Sequence, residues 1–170
     1  PLNAIIGYTE MMADGLYGQM ADKAQGVLER VQSNGRHLLG LINDVLDLSK
    51  IEAGQLALAI EDYSVVDMVN TVMAATESLA RAKGLALESD VAAGLPMGRG
   101  DARRLSQVLL NLVGNAIKFT DQGKVEIRAR RDGEFFELAV VDSGFGIAPA
   151  DQKRIFDEFQ QVDNTSTRKK

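Results

Sequence analysis

The residues best suited to chemistry are two asparagines and a lysine, Asn111, Asn115 and Lys118, spaced i, i+4 and i+7. On an α-helix that spacing places them on one face. An asparagine carbonyl is a hard, neutral oxygen ligand of the kind Mg2+ accepts beside water and phosphate oxygens. A lysine one turn further on supplies positive charge to such phosphates. Taken alone, the trio reads as a solvated helix face. A second cluster begins 27 residues beyond Asn115, where Asp142-Ser143-Gly144-Phe145-Gly146-Ile147 follows an apolar run. Two glycines in three residues let the backbone turn sharply and approach a ligand closely. An aspartate at the end of a strand can accept a hydrogen bond from an exocyclic amine. Asp-x-Gly-x-Gly by itself is often only a turn, but the two clusters with a hairpin between them form a far more specific pair.

The elements that must position them follow from hydrophobic periodicity. Asp101 caps a helix over 101–119, with Leu105, Val108, Leu109, Leu112 and Ala116 as its apolar stripe. Strands over 124–130 and 135–141 are joined at Asp132-Gly133, a tight-hairpin signal. Upstream, Ser64 and Asp67 begin a helix with Val65, Met68, Val69, Val72 and Leu79 on one face. Leu85 and Leu87 suggest a strand, and the alternation of Leu56, Leu58 and Ile60 predicts another. The stretch 94–100, with Pro96 inside it, reads as a loop.

The first third of the chain has a different pattern. Leu2, Ile5, Ile6 and Thr9 recur at helical spacing until Gly15-Leu16-Tyr17-Gly18 interrupts them. From about Ala21 to Ala53 a long helix carries Ala24, Leu28, Val31, Gly35, Leu38, Ile42 and Val45 in alternating steps of three and four. Val27, Leu41 and Leu48 widen that seam on one flank and Leu39 and Leu46 on the other. Two helices cannot bury so broad a stripe between themselves, so the economical reading is a four-helix bundle made by two chains. Packing of the stripe on the chain's own second domain is the alternative. Gly54 ends the long helix, which sets domains at 1–54 and 55–170.

Bulk properties narrow the classes further. With 45% hydrophobic and 25% charged residues the chain has a globular composition. A net charge of −5 gives no reason to expect nucleic acid. The absence of cysteine excludes disulfides and thiolate metal sites. No apolar run reaches the roughly 20 residues that span a bilayer, so no membrane contact is expected within these residues. Pro1 at the start and Thr167-Arg168-Lys169-Lys170 at the end read as cuts in a longer protein.

Four segments carry a resemblance. Leu109-Leu110-Asn111-Leu112-Val113-Gly114-Asn115-Ala116-Ile117-Lys118-Phe119-Thr120 resembles the N box of sensor histidine kinases. Asp142 to Ile147 resembles their G1 box, and Ile155-Phe156-Asp157-Glu158-Phe159-Gln160-Gln161 their F box. Pro1-Leu2-Asn3-Ala4-Ile5-Ile6-Gly7-Tyr8 resembles the downstream half of the H box, and Leu48-Ser49-Lys50-Ile51-Glu52-Ala53-Gly54 a common ending of the dimerisation hairpin. The resemblance implies an α+β protein: a helical hairpin that dimerises into a four-helix bundle, then a Bergerat-type sandwich that binds ATP. It implies that Asn115 coordinates Mg2+ on the phosphates, with Asn111 and Lys118 assisting, and that Phe119 lies along the adenine. Asp142 would accept the adenine amine's hydrogen bond. Gly144, Gly146 and Ile147 would shape the pocket and the start of its lid, which Phe156 and Phe159 would anchor.

The same resemblance implies a histidine kinase of a two-component system, cytoplasmic whether or not upstream segments anchor its parent. Its partners would be a second copy and a response-regulator receiver domain, docked on Asn3, Ala4, Gly7 and Tyr8. The acceptor histidine is expected five residues before Pro1, and the lid's second glycine box after Lys170, so neither falls within the sequence. His37, the only histidine present, reads as structural or solvent-facing. Two alternatives are a pseudokinase that signals by conformation and an ATPase of the same nucleotide fold. The gyrase, mismatch-repair and chaperone ATPases carry a glutamate four residues before the magnesium asparagine. Here Asn111 holds that place, and a carboxamide is no general base near neutral pH.

Overall fold

The protein is described by a computed structural model covering residues 1–153 and Ile155. It divides into two compact units, Pro1–Ala57 and Leu58–Lys170. The first is a helical hairpin of α1 (Leu2–Ala13) and α2 (Asp22–Glu52). Gly15 and Gly18, at φ +77° and +103°, make the turn that the sequence places there. The helices meet where Gly35 lies under Ile6, so close that a Cβ at Gly35 would stand 3.0 Å from Ile6 Cγ1. Ile6 and Thr9 are buried there, and Gly35 is the only buried residue of α2. Most of the expected seam remains open within one chain, with Ala24, Leu28, Leu39 and Leu48 half-buried. Val27, Val31, Leu38, Leu41, Ile42, Val45 and Leu46 are all exposed. At its far end α2 closes with Gly54 at φ +65° and a Gln55 amide returning to the Lys50 carbonyl, a Schellman turn.

The second unit contains β1 (Glu61–Tyr63), α3 (Val65–Ala82), β2 (Ala86–Val91), β3 (Gly98–Gly100), α4 (Ala102–Phe119), β4 (Lys124–Asp132) and β5 (Phe135–Asp142). A three-stranded sheet runs in the order β2-β4-β5, with β2 parallel to β4 and β5 antiparallel to it. A parallel pair needs a crossover, and α4 lies within the chain that supplies it. β1 and β3 form a separate antiparallel pair. Both helices pack on one face of the larger sheet. The core is the alternate residues Val125, Ile127 and Ala129 of β4 against Val65, Val69 and Val72 of α3 and Leu109, Val113 and Ile117 of α4. On the opposite face Lys124 and Arg128 pair with Glu126. The Arg128 hydrogen bond, more than Lys124, holds the Glu126 carboxyl below its ordinary value against the opposing effect of burial.

The caps are where the sequence places them. Ser64 Oγ accepts the Asp67 amide at 3.1 Å, and Asp101 Oδ1 accepts the Arg104 amide at 3.0 Å. Three expectations need correction. Residues 56–60 form no strand; only Glu61–Tyr63 pairs, because its partner β3 is three residues long. That partner lies inside the expected 94–100 loop. Gly98 is required there, since a Cβ would stand 2.7 Å from Tyr63 Cζ and 2.9 Å from Phe136. The apolar stripes are also turned: Leu79, Val108 and Leu112 are exposed, whereas Val113 and Ile117 are buried. Each helix meets the sheet along one narrow face, and residues at its margins stay in solvent.

Candidate functional site

α4 is the element on which the site is built. Its N-terminus is fixed twice by one carboxylate. Asp101 caps the Arg104 amide with Oδ1 and accepts the Ala59 amide with Oδ2 at 3.1 Å. The backbone bond from Arg104, then that from Ala59, holds the Asp101 carboxyl below the usual aspartate range. With Leu109, Val113, Ala116 and Ile117 buried, successive rotations of about 100° per residue put Asn111, Asn115 and Lys118 on the opposite side. All three are exposed. Neither asparagine side chain hydrogen-bonds another described residue, so both amide oxygens are available to a ligand.

The C-terminal end of α4 meets the loop after β5. The Gly144 amide donates to Asp142 Oδ1 at 2.8 Å, closing a tight turn at the strand end. Among the described residues no donor reaches the other Asp142 oxygen, and the side chain is exposed. Gly144 lies directly against α4. A Cβ on it would stand 2.6 Å from the Phe119 carbonyl oxygen and 2.8 Å from Asp142 Oδ1. Phe119 and Phe145 meet edge to face with ring centroids 6.0 Å apart, and Lys118 Nζ lies 5.1 Å from the Phe119 ring centroid. Gly146 has φ +70°, and Ile147 is 45% exposed beyond it.

The structure thus joins Lys118, Phe119, Asp142 and Gly144 in one contiguous surface, with Asn115 and Asn111 one and two turns back along the exposed face of α4. Phe156 and Phe159 lie outside the described residues. Among the described residues no group of three histidine, cysteine or acidic side chains could hold a metal, and His37 is exposed on α2. Asn3, Ala4 and Tyr8 are exposed on α1 and Gly7 is half-buried.

Three residues with no role in the sequence reading also hold the site. Ser143 Oγ donates to the Gln122 carbonyl at 3.0 Å and accepts the Lys124 amide at 3.0 Å. It thereby ties the glycine loop to the turn after α4. Gly123 makes room for it, at φ +106° and with no space for a Cβ beside Ser143 Oγ. Lys83 contacts the end of α4 from α3. The variable position of Asp-x-Gly offered a weak signal for Ser143; Lys83 offered none.

Comparison with known proteins places both parts of the chain in known families. Residues 1–54 match the family "His Kinase A (phospho-acceptor) domain". Residues 100–170 match "Histidine kinase-, DNA gyrase B-, and HSP90-like ATPase". The chain belongs to the sensor histidine kinases. Among its relatives is the histidine protein kinase DivJ of Caulobacter vibrioides, 35% identical over 169 residues, which cover 99% of this chain and 28% of DivJ. The non-motile and phage-resistance protein of the same organism is 42% identical over 170 residues, 96% of this chain and 20% of that protein. The crystal structure of full-length ShkA in complex with AMPPNP superposes with a TM-score of 0.79 and 30% identity, over 96% of this chain and 35% of ShkA. The chain spans about a fifth to a third of the length of such relatives.

The approach of Gly144 to the Phe119 backbone gives a direct prediction. Gly144→Ala must push the loop off the Phe119 carbonyl, a strain of about 1–3 kcal/mol for inserted carbon in a close-packed contact. Thermal unfolding should show that loss in the second unit and leave the helical hairpin unchanged. An unaltered melting curve would mean that the loop is not held against α4.

Proposed function

We propose that this chain is the core of a Mg-ATP-dependent protein-histidine kinase of a two-component system. One observation carries the reading: the Asp142–Gly144 turn sits on the last turn of α4, beside the open face that bears Asn111, Asn115 and Lys118. The turn would hold the base, with Asp142 Oδ2 accepting the adenine amine and Phe119 lying along the ring. Lys118 and Asn111 would lie toward the phosphates. Gly146 and Ile147 would begin a lid that Phe156 and Phe159 anchor.

The donor set suits Mg2+. Among the described residues the Asn115 amide oxygen has no hydrogen-bond partner, and no acidic cluster among them competes for the ion. Mg2+ keeps waters and phosphate oxygens as most of its ligands, so a single neutral protein ligand is adequate. When bound at Asn115 it would neutralise phosphate charge. The acceptor is proposed to be a histidine of the hairpin lying five residues ahead of Pro1. Its ring nitrogen forms the new bond to the γ-phosphorus as the bond to the β-bridging oxygen breaks, and ADP leaves. The chain's contribution is positioning and electrostatics. The phosphoryl group then passes to an aspartate of a response-regulator receiver domain docked on Asn3, Ala4, Gly7 and Tyr8. The absence of a carboxylate at Asn111 favours transfer to protein over hydrolysis. No described helix is long and apolar enough to cross a membrane, and the reading places this portion in the cytoplasm.

The exposed stripe of α2 supports a homodimer. Each fully buried leucine contributes roughly 1.5–3 kcal/mol, and Leu38, Leu41 and Leu46 are about half exposed in one chain.

Calorimetry with Mg-ADP tests the nucleotide assignment. Asp142→Ala and Asn115→Ala should each weaken binding about tenfold or more, as expected for losing a charge-assisted bond or a metal ligand; equal affinity in parent and both variants would refute it. Light scattering tests the dimer. The parent should be dimeric and Leu38→Glu monomeric, and a parent chain monomeric at micromolar concentration would contradict the bundle.

A further inference from the structure

We propose that Lys83, outside every motif, is a positioning residue for the nucleotide seat, acting through the C-terminal turn of α4. The proposal rests on the nucleotide reading above. α3 ends in a Schellman turn: Gly84 has φ +68°, its amide donates to the Arg81 carbonyl, and the Leu85 amide returns to the Ala80 carbonyl at 3.0 Å. Leu85 and Ala80 are both buried in the core, so the backbone that carries Lys83 is fixed.

α4 ends differently. Thr120 leaves the helix in an extended conformation, φ −104° and ψ 124°, with no left-handed glycine to fold amides back on the last carbonyls. The Lys83 ammonium supplies what the turn lacks. Nζ donates to the carbonyls of Ile117 at 2.9 Å, Lys118 at 2.8 Å and Thr120 at 3.1 Å. An ammonium has three protons, and all three are used. A cation there also opposes the negative end of the helix dipole. Among the described residues Lys83 has no acidic partner, and its acceptors are these three carbonyls.

The carbonyl that Lys83 leaves out is Phe119's, the one against Gly144. The turn it fixes also carries Lys118 and the Phe119 ring. Lys83 therefore sets the surface on which the glycine loop rests, without touching the nucleotide itself.

The test uses the whole chain with Lys83→Met, which keeps the apolar stem, and Lys83→Arg, which keeps a charged donor. Hydrogen exchange and Mg-ADP calorimetry are read on both. Lys83→Met should speed exchange about tenfold in residues 115–124 alone and weaken Mg-ADP by about fivefold to tenfold, the scale of a lost charged cap. Lys83→Arg should recover most of both. Faster local exchange with unchanged affinity would overturn the proposal, showing a cap that positions nothing. Affinity that falls with exchange rising across the whole second unit would overturn it in favour of general destabilisation. A parent that binds no Mg-ADP while Lys83→Met still loosens residues 115–124 would overturn the nucleotide reading and leave the cap standing.

Discussion

At one point of this molecule a backbone carbonyl occupies space that any side chain larger than hydrogen would need. The Phe119 oxygen lies 2.6 Å from where a Cβ on Gly144 would be, well inside ordinary contact. That approach lets a helix end and a strand end share one surface. The helix brings amides and an ammonium, and the strand end brings a carboxylate with one oxygen already engaged by its own turn. Displacing the loop would separate the Asp142 carboxylate from the amides and the ammonium of α4. The supports converge on the same spot, with Ser143 tying the loop to the turn after α4 and Asp101 fixing the helix at its other end.

The chemistry of the open face is set by what it lacks as much as by what it carries. Asn111 and Asn115 are neutral, so neither side chain would repel an anionic triphosphate. Lys118 adds a positive charge at the turn nearest the loop. A glutamate at Asn111 would supply a base for water and favour hydrolysis; a carboxamide does not. The hairpin supplies the complementary part of the account. Its own packing buries little beyond Ile6, Thr9 and Gly35, and most of the long apolar stripe of α2 stays exposed within one chain, where the proposed second copy would cover it.

Local signals were legible in the sequence because they are local. The caps at Ser64 and Asp101, the turn glycines at 15, 18 and 54, and the β4–β5 hairpin each depend on residues within a few positions. The two motifs were legible because their spacing is. What could not be read depends on partners distant in sequence. Leu58 and Ile60 alternate as a strand would, yet β3 offers them no partner. By sequence Gly98 reads as a loop glycine, whereas Tyr63 and Phe136 lie against it in the fold. Val113 and Ile117 displaced Val108 and Leu112 from the core because the sheet, not the periodicity alone, decides which edge of a stripe is covered. Lys83 joins carbonyls 34 to 37 residues away, and a lysine at a helix end otherwise reads as surface.

The central claim is that nucleotide sits on the α4 end and the glycine loop. Backbone amide shifts during titration of the labelled chain with Mg-AMPPNP test it most directly. The account predicts the largest shifts within residues 111–123 and 142–147, with the hairpin and the charged face of β4 little changed. Saturable shifts centred anywhere else in the chain would contradict it.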